Sequence, residues 1–155
     1  MKHNIVPTRL VHIAFAMAVV TMASSAYAQR CSLDGVAGKY GFSDSGTIVG
    51  VGARAAVGLL TFNAAGKVNG SVTSSLNGSI SQTTLSGTYT VDPDCSGTAS
   101  FTELDQNGNP VLTATVTAAW DDNMRQVRFV FTSIVLANGT PLAAAVNGEA
   151  RKLAP

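Results

Sequence analysis

The 155-residue sequence predicts an all-β protein, an antiparallel meander of about seven or eight short strands. Three observations predict this class. Apolar and hydroxylated residues alternate with a period of two, and clusters of Gly, Asn, Asp and Pro separate the alternating runs. After the N-terminal segment, no run keeps the apolar period of a helix over several turns. We therefore assign essentially no helix to that part of the chain.

The clearest element is a hairpin over residues 85–101, LSGTYTVDPDCSGTASF. Its apolar and small residues share one face, and its Ser and Thr residues share the other. The first face carries, in order, Leu85, Gly87, Tyr89, Val91, Gly97, Ala99 and Phe101. Asp92-Pro93-Asp94 interrupts the alternation, because proline fixes φ and donates no backbone hydrogen bond. We expect the turn there.

The remaining strands follow from the same two signals. We expect strands at 35–43, 55–62, 67–75, 111–120, 125–136 and 142–151. We expect turns at 44–46, 63–66, 77–78, 106–110, 121–123 and 138–141, of which Asn77-Gly78 is the strongest hairpin signal. The run 125–136 is apolar on both sides, with Phe131 and Val135 on one face, which predicts a strand that is central in the sheet or covered on both faces. The run 55–62 also lacks polarity and fits either such a strand or a loop with a short strand.

The sheet can close in two ways, as a small closed β-barrel or as a β-sandwich. An open sheet of this length would leave edges that invite aggregation. Many positions on the interior face are Gly or Ala, which suits the tight curvature of a small barrel. The sequence therefore favours the barrel over the sandwich.

The first 28 residues have the pattern of a secretory signal peptide. Lys2 and Arg9 are basic, residues 11–22 are apolar, and Ala26-Tyr27-Ala28 is a small-x-small cleavage site. We expect residues 1–28 to be removed and residues 29–155 to form a single barrel domain, exported to the periplasm or the medium. The apolar run is short for a membrane span.

Removal of residues 1–28 also changes the charge and the chemistry. Both histidines leave, and of ten basic residues eight remain against nine acidic ones. This near-neutral balance predicts no nucleic-acid partner. Without histidine the chain has no Ser-His-Asp base and lacks the usual zinc and copper ligands, so we expect no cofactor or metal. The oligomeric state is open.

The two cysteines, Cys31 and Cys95, predict a disulfide, since an even count in an oxidising compartment favours pairing. Two free thiols are the alternative. The bond would tie the start of the exported chain to the central hairpin. In the chain-entropy view, closing so long a loop stabilises the fold by about 4 kcal/mol.

Three strings have a wider resemblance. Over most of its length after residue 28, the chain resembles a group of small exported bacterial all-β proteins of unknown function. The strings that carry this resemblance are KYGFS with SGT, GTYTV with DCSGT, and FTS with NGT. More distantly, the layout is similar to calycin-type barrels such as lipocalins and allene oxide cyclase-like proteins. This likeness implies a barrel and no activity. The Gly-x-Trp signature of lipocalins is absent, since the one tryptophan, Trp120, comes late.

The carboxylates offer little chemistry in the sequence. Three pairs could in principle serve acid–base hydrolysis, and all lie in or beside predicted turns, where aspartate is expected for structural reasons. The pairs are Asp92 with Asp94, Glu103 with Asp105, and Asp121 with Asp122. An outer-membrane barrel is disfavoured because aromatic residues are sparse and the outer strand faces carry Thr and Ser.

The functional hypothesis concerns the barrel interior. If its aromatic residues line a cavity, that cavity suits a small hydrophobic ligand, whereas tight packing would make it a filled core. The residues are Tyr40, Phe42, Phe62, Tyr89, Phe101, Trp120, Phe129 and Phe131. A non-catalytic binding or envelope module is expected, and a cofactor-free cyclase or isomerase is the alternative. The enzyme needs an inward ionisable group, for which Arg54, Arg128 and Glu149 are the residues to watch.

Overall fold

The computed structural model describes residues 30–154, which form a closed antiparallel β-barrel. Each strand pairs with the next along the chain, and β8 pairs with β1. The strands are β1 (Gly38–Ile48), β2 (Gly52–Phe62), β3 (Lys67–Leu76), β4 (Ser79–Tyr89), β5 (Ser96–Leu104), β6 (Pro110–Asp121), β7 (Gln126–Leu136) and β8 (Ala144–Lys152). The predicted fold class is confirmed, with the barrel rather than the sandwich.

The predicted signal peptide lies outside the described residues. Within residues 30–154 no helix has the length and apolar character needed to cross a bilayer.

Closure of the barrel brings neighbouring backbones very close at inward-facing glycines. A Cβ atom at Gly87 would collide with the Ser100 carbonyl oxygen, and one at Gly97 with the Thr90 carbonyl oxygen. Glycine is therefore required where the strands bend most tightly. At Asn77-Gly78 the φ angles are 50° and 87°, so both central residues take the conformation that a two-residue hairpin turn needs.

One end of the barrel, here called the helix end, is closed by α1 (Leu33–Val36). The expected strand at 35–43 is wrong in its first residues, whereas the expectation of essentially no helix is confirmed, since α1 is a single turn of 4 residues. Ser32 caps this turn, because its hydroxyl accepts a hydrogen bond from the Gly35 N–H at 3.1 Å. Val36 is fully buried beneath the barrel. The burial of this apolar side chain and the cap together favour a helical turn over a strand.

The predicted disulfide is confirmed and also lies at the helix end. Cys31 and Cys95 are bonded, with their Cα atoms 5.0 Å apart. Two tyrosines hold the same region. The Tyr40 hydroxyl lies 2.7 Å from the Val36 carbonyl oxygen and 2.8 Å from that of Met124, and its single proton is shared between these two acceptors. The Tyr89 hydroxyl donates to the Asn63 carbonyl at 2.7 Å. The helix end is thus fixed by covalent and hydrogen bonds.

The opposite end, here called the far end, consists of the connections β1–β2, β3–β4, β5–β6 and β7–β8. The turn predicted at 44–46 is wrong, because those residues lie inside β1. Asp44 pairs with Ala56 of β2 on one side and with Gly148 of β8 on the other. Pairing on both sides overrides the local turn preference of Asp-Ser-Gly, and the Asp44 side chain points into the barrel, where it is buried.

The run 125–136 is central, since β7 pairs with β6 and with β8. Neither β7 nor β2 is covered on both faces, and the run 55–62 is part of a full strand rather than a loop with a short strand. The outer face of β2 leaves Val57 and Leu59 exposed, and β7 leaves Val130 exposed. In β7 a bulge changes the face as well. Phe131 pairs with Val116 and Ser133 with Thr115, so the residue between them is unpaired and the inward phase passes to Ile134. Val135 therefore does not share the inner face with Phe131.

Candidate functional site

The barrel interior contains a cavity lined almost wholly by inward side chains of the strands. Its volume is about 50 Å³. A single water needs about 10–15 Å³, whereas a cavity that binds benzene has about 150 Å³, so the space as it stands suits about four waters and a ring enters only when the lining side chains move apart. The interior is therefore neither fully packed nor a wide calyx.

Six of the eight predicted aromatic residues line this cavity, and two do not. The six are Phe42, Phe62, Phe101, Trp120, Phe129 and Phe131. Tyr40 and Tyr89 lie at the helix end, where Phe62 packs between them with ring centroids 5.2 and 4.9 Å away. The tyrosines therefore belong to the packed closure of the barrel, while the other rings surround the space. That these residues bind a ligand stays a prediction.

A cluster of three charged side chains lies in the same interior, towards the far end. Arg54 donates from Nε to Asp44 Oδ1 at 3.0 Å and from Nη2 to Asp44 Oδ2 at 3.2 Å. Arg54 Nη2 is also 3.8 Å from Glu103 Oε1. The side chains of Arg54, Asp44 and Glu103 are 7%, 1% and 5% exposed. All three line the cavity.

The register of three strands explains the cluster. Arg54 on β2 pairs with Gly46 of β1, two residues from Asp44, so both side chains point inward and meet diagonally. Glu103 lies on β5, two residues beyond Phe101 on the inward face, and it pairs with Leu85 of β4. Arg54 thus reaches across the interior from β2 to β5.

The environment of Glu103 favours its protonated form. Burial raises the pKa of Glu103, while the Arg54 guanidinium and a hydrogen bond from Thr83 act in the opposite direction. The negative charge of Asp44 raises it further. Thr83 donates its hydroxyl to Glu103 Oε2 at 3.0 Å. Because Arg54 is bonded bidentately to Asp44, Glu103 is the carboxyl whose charge is less well compensated.

The cavity wall contains two further polar features. The guanidinium carbon of Arg54 lies 5.7 Å from the centroid of the Phe131 ring, within the range of a cation–π contact. Within residues 30–154 the buried indole N–H of Trp120 has no hydrogen-bond partner. Leaving such a donor unpaired costs about 1–3 kcal/mol.

The other ionisable residues singled out from the sequence lie outside this site. Arg128 is exposed and pairs with Asp121 at 3.1 Å, and the exposed Glu149 accepts from Gln126 Nε2 at 2.9 Å. Asp94 lies in the β4–β5 connection and accepts from the Ser96 N–H at 3.0 Å, as expected for a turn. In the described part of the chain no three potential ligands come together in a way that could hold a metal ion.

Glu103 is the site residue that sequence reasoning missed. It was expected beside a turn, and the structure places it inside the barrel on the last inward position of β5. The parity of Gly97, Ala99 and Phe101, continued by one step, would have found it. Of the three residues to watch, only Arg54 points inward.

Comparison with known proteins bears on the fold. No protein-family model and no curated protein matches the chain. The structure of EF1p2_mFAP2b bound to DFHBI matches with a TM-score of 0.56 at 11% identity, over 79% of this chain and 100% of that one. A fluorescence-activating β-barrel obtained by de novo design has a TM-score of 0.47 at 11% identity, covering 76% and 93% of the two chains.

A natural protein is also among the similar structures. The S-type phycobiliprotein lyase CPES from Guillardia theta has a TM-score of 0.43 at 9% identity, covering 79% of this chain and 91% of the lyase. The match to EF1p2_mFAP2b supports the fold of a small closed β-barrel. Such low identity establishes the fold alone.

Proposed function

We propose that this chain is an exported β-barrel that binds a compact, largely apolar molecule in its interior. The observation that carries the proposal is the aromatic cavity that retains buried charged groups. In a filled core, Arg54 and Glu103 would add little net stability compared with well-packed apolar side chains, because burying their charges is costly. Buried ionisable groups beside a cavity are typical of functional sites.

Two further features support the proposal. EF1p2_mFAP2b, which has a similar fold, is bound to DFHBI, so a barrel of this kind can hold a small ligand. The Cys31–Cys95 disulfide fits the oxidising compartment that the signal-peptide pattern of residues 1–28 predicts. The cavity is smaller than the space that one ring occupies, so the ligand is a compact molecule and its entry moves the lining side chains apart.

A fluorescence titration tests the proposal, because Trp120 is the only tryptophan and lines the cavity. We expect benzyl alcohol, a compact aromatic probe, to change the Trp120 emission saturably. Ala99→Leu fills the cavity and should abolish the change. Ala55→Leu, on the exposed outer face of β2, is the matched control and should leave it intact. Equal binding by both variants would place the probe outside the barrel and contradict the proposal.

One observation favours a second function, that of a cofactor-free isomerase or cyclase. Glu103 is a buried carboxyl with a raised pKa that faces an arginine at a cavity, which is the arrangement an acid–base catalyst needs. Such an enzyme would exchange a carbon-bound proton of its substrate with solvent. We would recover the molecule that co-purifies with the protein after incubation in D₂O. Deuterium on carbon with the wild type but not with Glu103→Gln indicates the enzyme, and an unlabelled molecule indicates a binding protein.

A further inference from the structure

The positive and negative charges of the groups that line the cavity are unequal in number. They are one cation, Arg54, and two carboxylates, Asp44 and Glu103. When both carboxylates are ionised the interior therefore carries one surplus negative charge. In a low-dielectric interior such a charge is costly unless it is protonated or meets a cation.

The geometry assigns the surplus to Glu103. Both donor atoms that Arg54 uses, Nε and Nη2, are hydrogen-bonded to Asp44, at 3.0 and 3.2 Å. The 3.8 Å from Nη2 to Glu103 Oε1 is too long for a hydrogen bond. Thr83 satisfies Oε2 of Glu103, and within the described residues Oε1 accepts no hydrogen bond. One carboxylate oxygen thus remains available at the cavity.

The rest of the cavity wall suits a ligand that carries a cation on an aromatic ring. Phe101 and Phe129 flank Phe131, with ring centroids 6.2 and 6.0 Å away, and Arg54 already lies over the Phe131 ring. Aromatic faces attract cations, most strongly where water is excluded. An anionic ligand would instead add to the surplus negative charge and would compete with Asp44 for Arg54.

We propose that the ligand is a compact aromatic amine whose protonated nitrogen is held by Glu103 Oε1, with its ring among the phenylalanines. This inference rests on the proposed binding function and names the ligand class of that site. Asp44 keeps Arg54 neutralised, so the arginine does not repel the ligand ammonium. A charge-assisted hydrogen bond to a buried carboxylate supplies the selectivity.

Three probes of nearly equal size test the ligand class by calorimetry at neutral pH. They are benzylamine, benzyl alcohol and phenylacetate, which place a cation, a neutral hydroxyl and an anion on the same ring. We expect benzylamine to bind at least about tenfold more tightly than benzyl alcohol, and phenylacetate to bind most weakly. Glu103→Gln should lower the benzylamine affinity to that of benzyl alcohol and leave benzyl alcohol unchanged. The matched control, Glu149→Gln, alters an exposed carboxylate and should change neither affinity.

The outcomes separate this inference from the proposal on which it rests. Equal affinity for the three probes, or tightest binding of phenylacetate, overturns the amine class while the barrel remains a binding protein. Benzylamine binding that survives Glu103→Gln overturns the role of Glu103. Failure of all three probes to bind the wild type overturns both the amine class and the binding of compact aromatic molecules.

Discussion

The two ends of the barrel use buried polar groups in opposite ways. At the helix end the Tyr40 and Tyr89 hydroxyls donate to backbone carbonyls, and a disulfide closes the structure around them. Towards the far end Arg54 serves two carboxylates, and Glu103 retains a free acceptor oxygen. Satisfied polar groups fix a structure, whereas incompletely satisfied ones leave capacity for a partner. Among the described residues, the unpaired indole N–H of Trp120 is the exception at the helix end. Under the proposed function, the helix end provides stability and the far end provides recognition.

The largest effect on the stability of the protein is expected from a change at the helix end. Replacing both cysteines, Cys31→Ala with Cys95→Ala, should lower the free energy of unfolding by about 4 kcal/mol, because the bond closes a long loop. Urea unfolding with and without reductant measures this change in the free energy of unfolding. Reduced wild type should match the double variant, and both should bind benzyl alcohol with at most about a twofold change in Kd. Loss of benzyl alcohol binding under conditions where the barrel is still folded would contradict the claim that the helix end contributes to stability and not to binding.

Arg54→Met should destabilise the protein by about 3 kcal/mol or more, because it leaves Asp44 and Glu103 buried without a cation. The matched control is Arg128→Met, which breaks the exposed pair with Asp121 and should cost at most about 1 kcal/mol. Chemical unfolding of both variants at neutral pH gives the difference. Equal losses would mean that the interior cluster is no more tightly coupled than a surface pair.

Tyr40→Phe should destabilise by about 2 kcal/mol, because two buried carbonyl oxygens lose their donor. Burial, with a smaller contribution from Tyr89, raises the pKa of Tyr40 to about 12. The folded protein therefore holds this proton at a pH where the unfolded chain has lost it, so stability falls as the pH rises from 10 towards 12. Tyr40→Phe should flatten that part of the stability profile. An unchanged alkaline slope would show that the hydroxyl is solvated.

The smallest effect on stability is expected for Glu103→Gln, which preserves the hydrogen bond from Thr83. Because burial raises the pKa of Glu103 above its ordinary value of 4.5, the folded state keeps a proton that the unfolded chain loses. Stability from this group is present below that value and is lost as the pH rises through the folded-state pKa. Glu103→Gln should remove this decline, and Glu149→Gln should retain it. Thermal unfolding across the acidic and neutral range distinguishes the two variants.

The alternation of apolar and hydroxylated residues was sufficient to predict the fold. Leu85, Tyr89 and Ala99 face inward as expected, and Asn77-Gly78 makes its predicted turn. The failures arose where partners distant in sequence decide the structure. Asp44 lies in a strand because β8, about a hundred residues later, pairs with it. The unpaired residue in β7 is likewise visible only once the register with β6 is known.

The candidate site was predicted in part for the same reason. Trp120 and Phe131 follow from strand parity, and Arg54 was singled out because it falls neither in a predicted turn nor on the hydroxylated face of a strand. Glu103 was placed beside a turn because Asp105 and a Gly-Asn-Pro cluster follow it. Its meeting with Arg54 joins β2 to β5 across the barrel, and no pattern local to either strand specifies that contact.

The most direct test of the difference between the two ends is a ¹H–¹⁵N correlation spectrum recorded during a benzylamine titration. Trp120 contributes the only indole N–H signal of the chain, and the Thr83 and Leu104 amides report on the surroundings of Glu103. We expect the Thr83 and Leu104 amide signals at the far end to shift saturably, while the Val36 and Met124 amides at the helix end stay in place. The Trp120 indole lies on the helix-end side of the cavity and shifts with them if the ligand spans the cavity. Shifts confined to the helix end, or to Val57 and Leu59 on the outer face, would contradict a binding site inside the barrel.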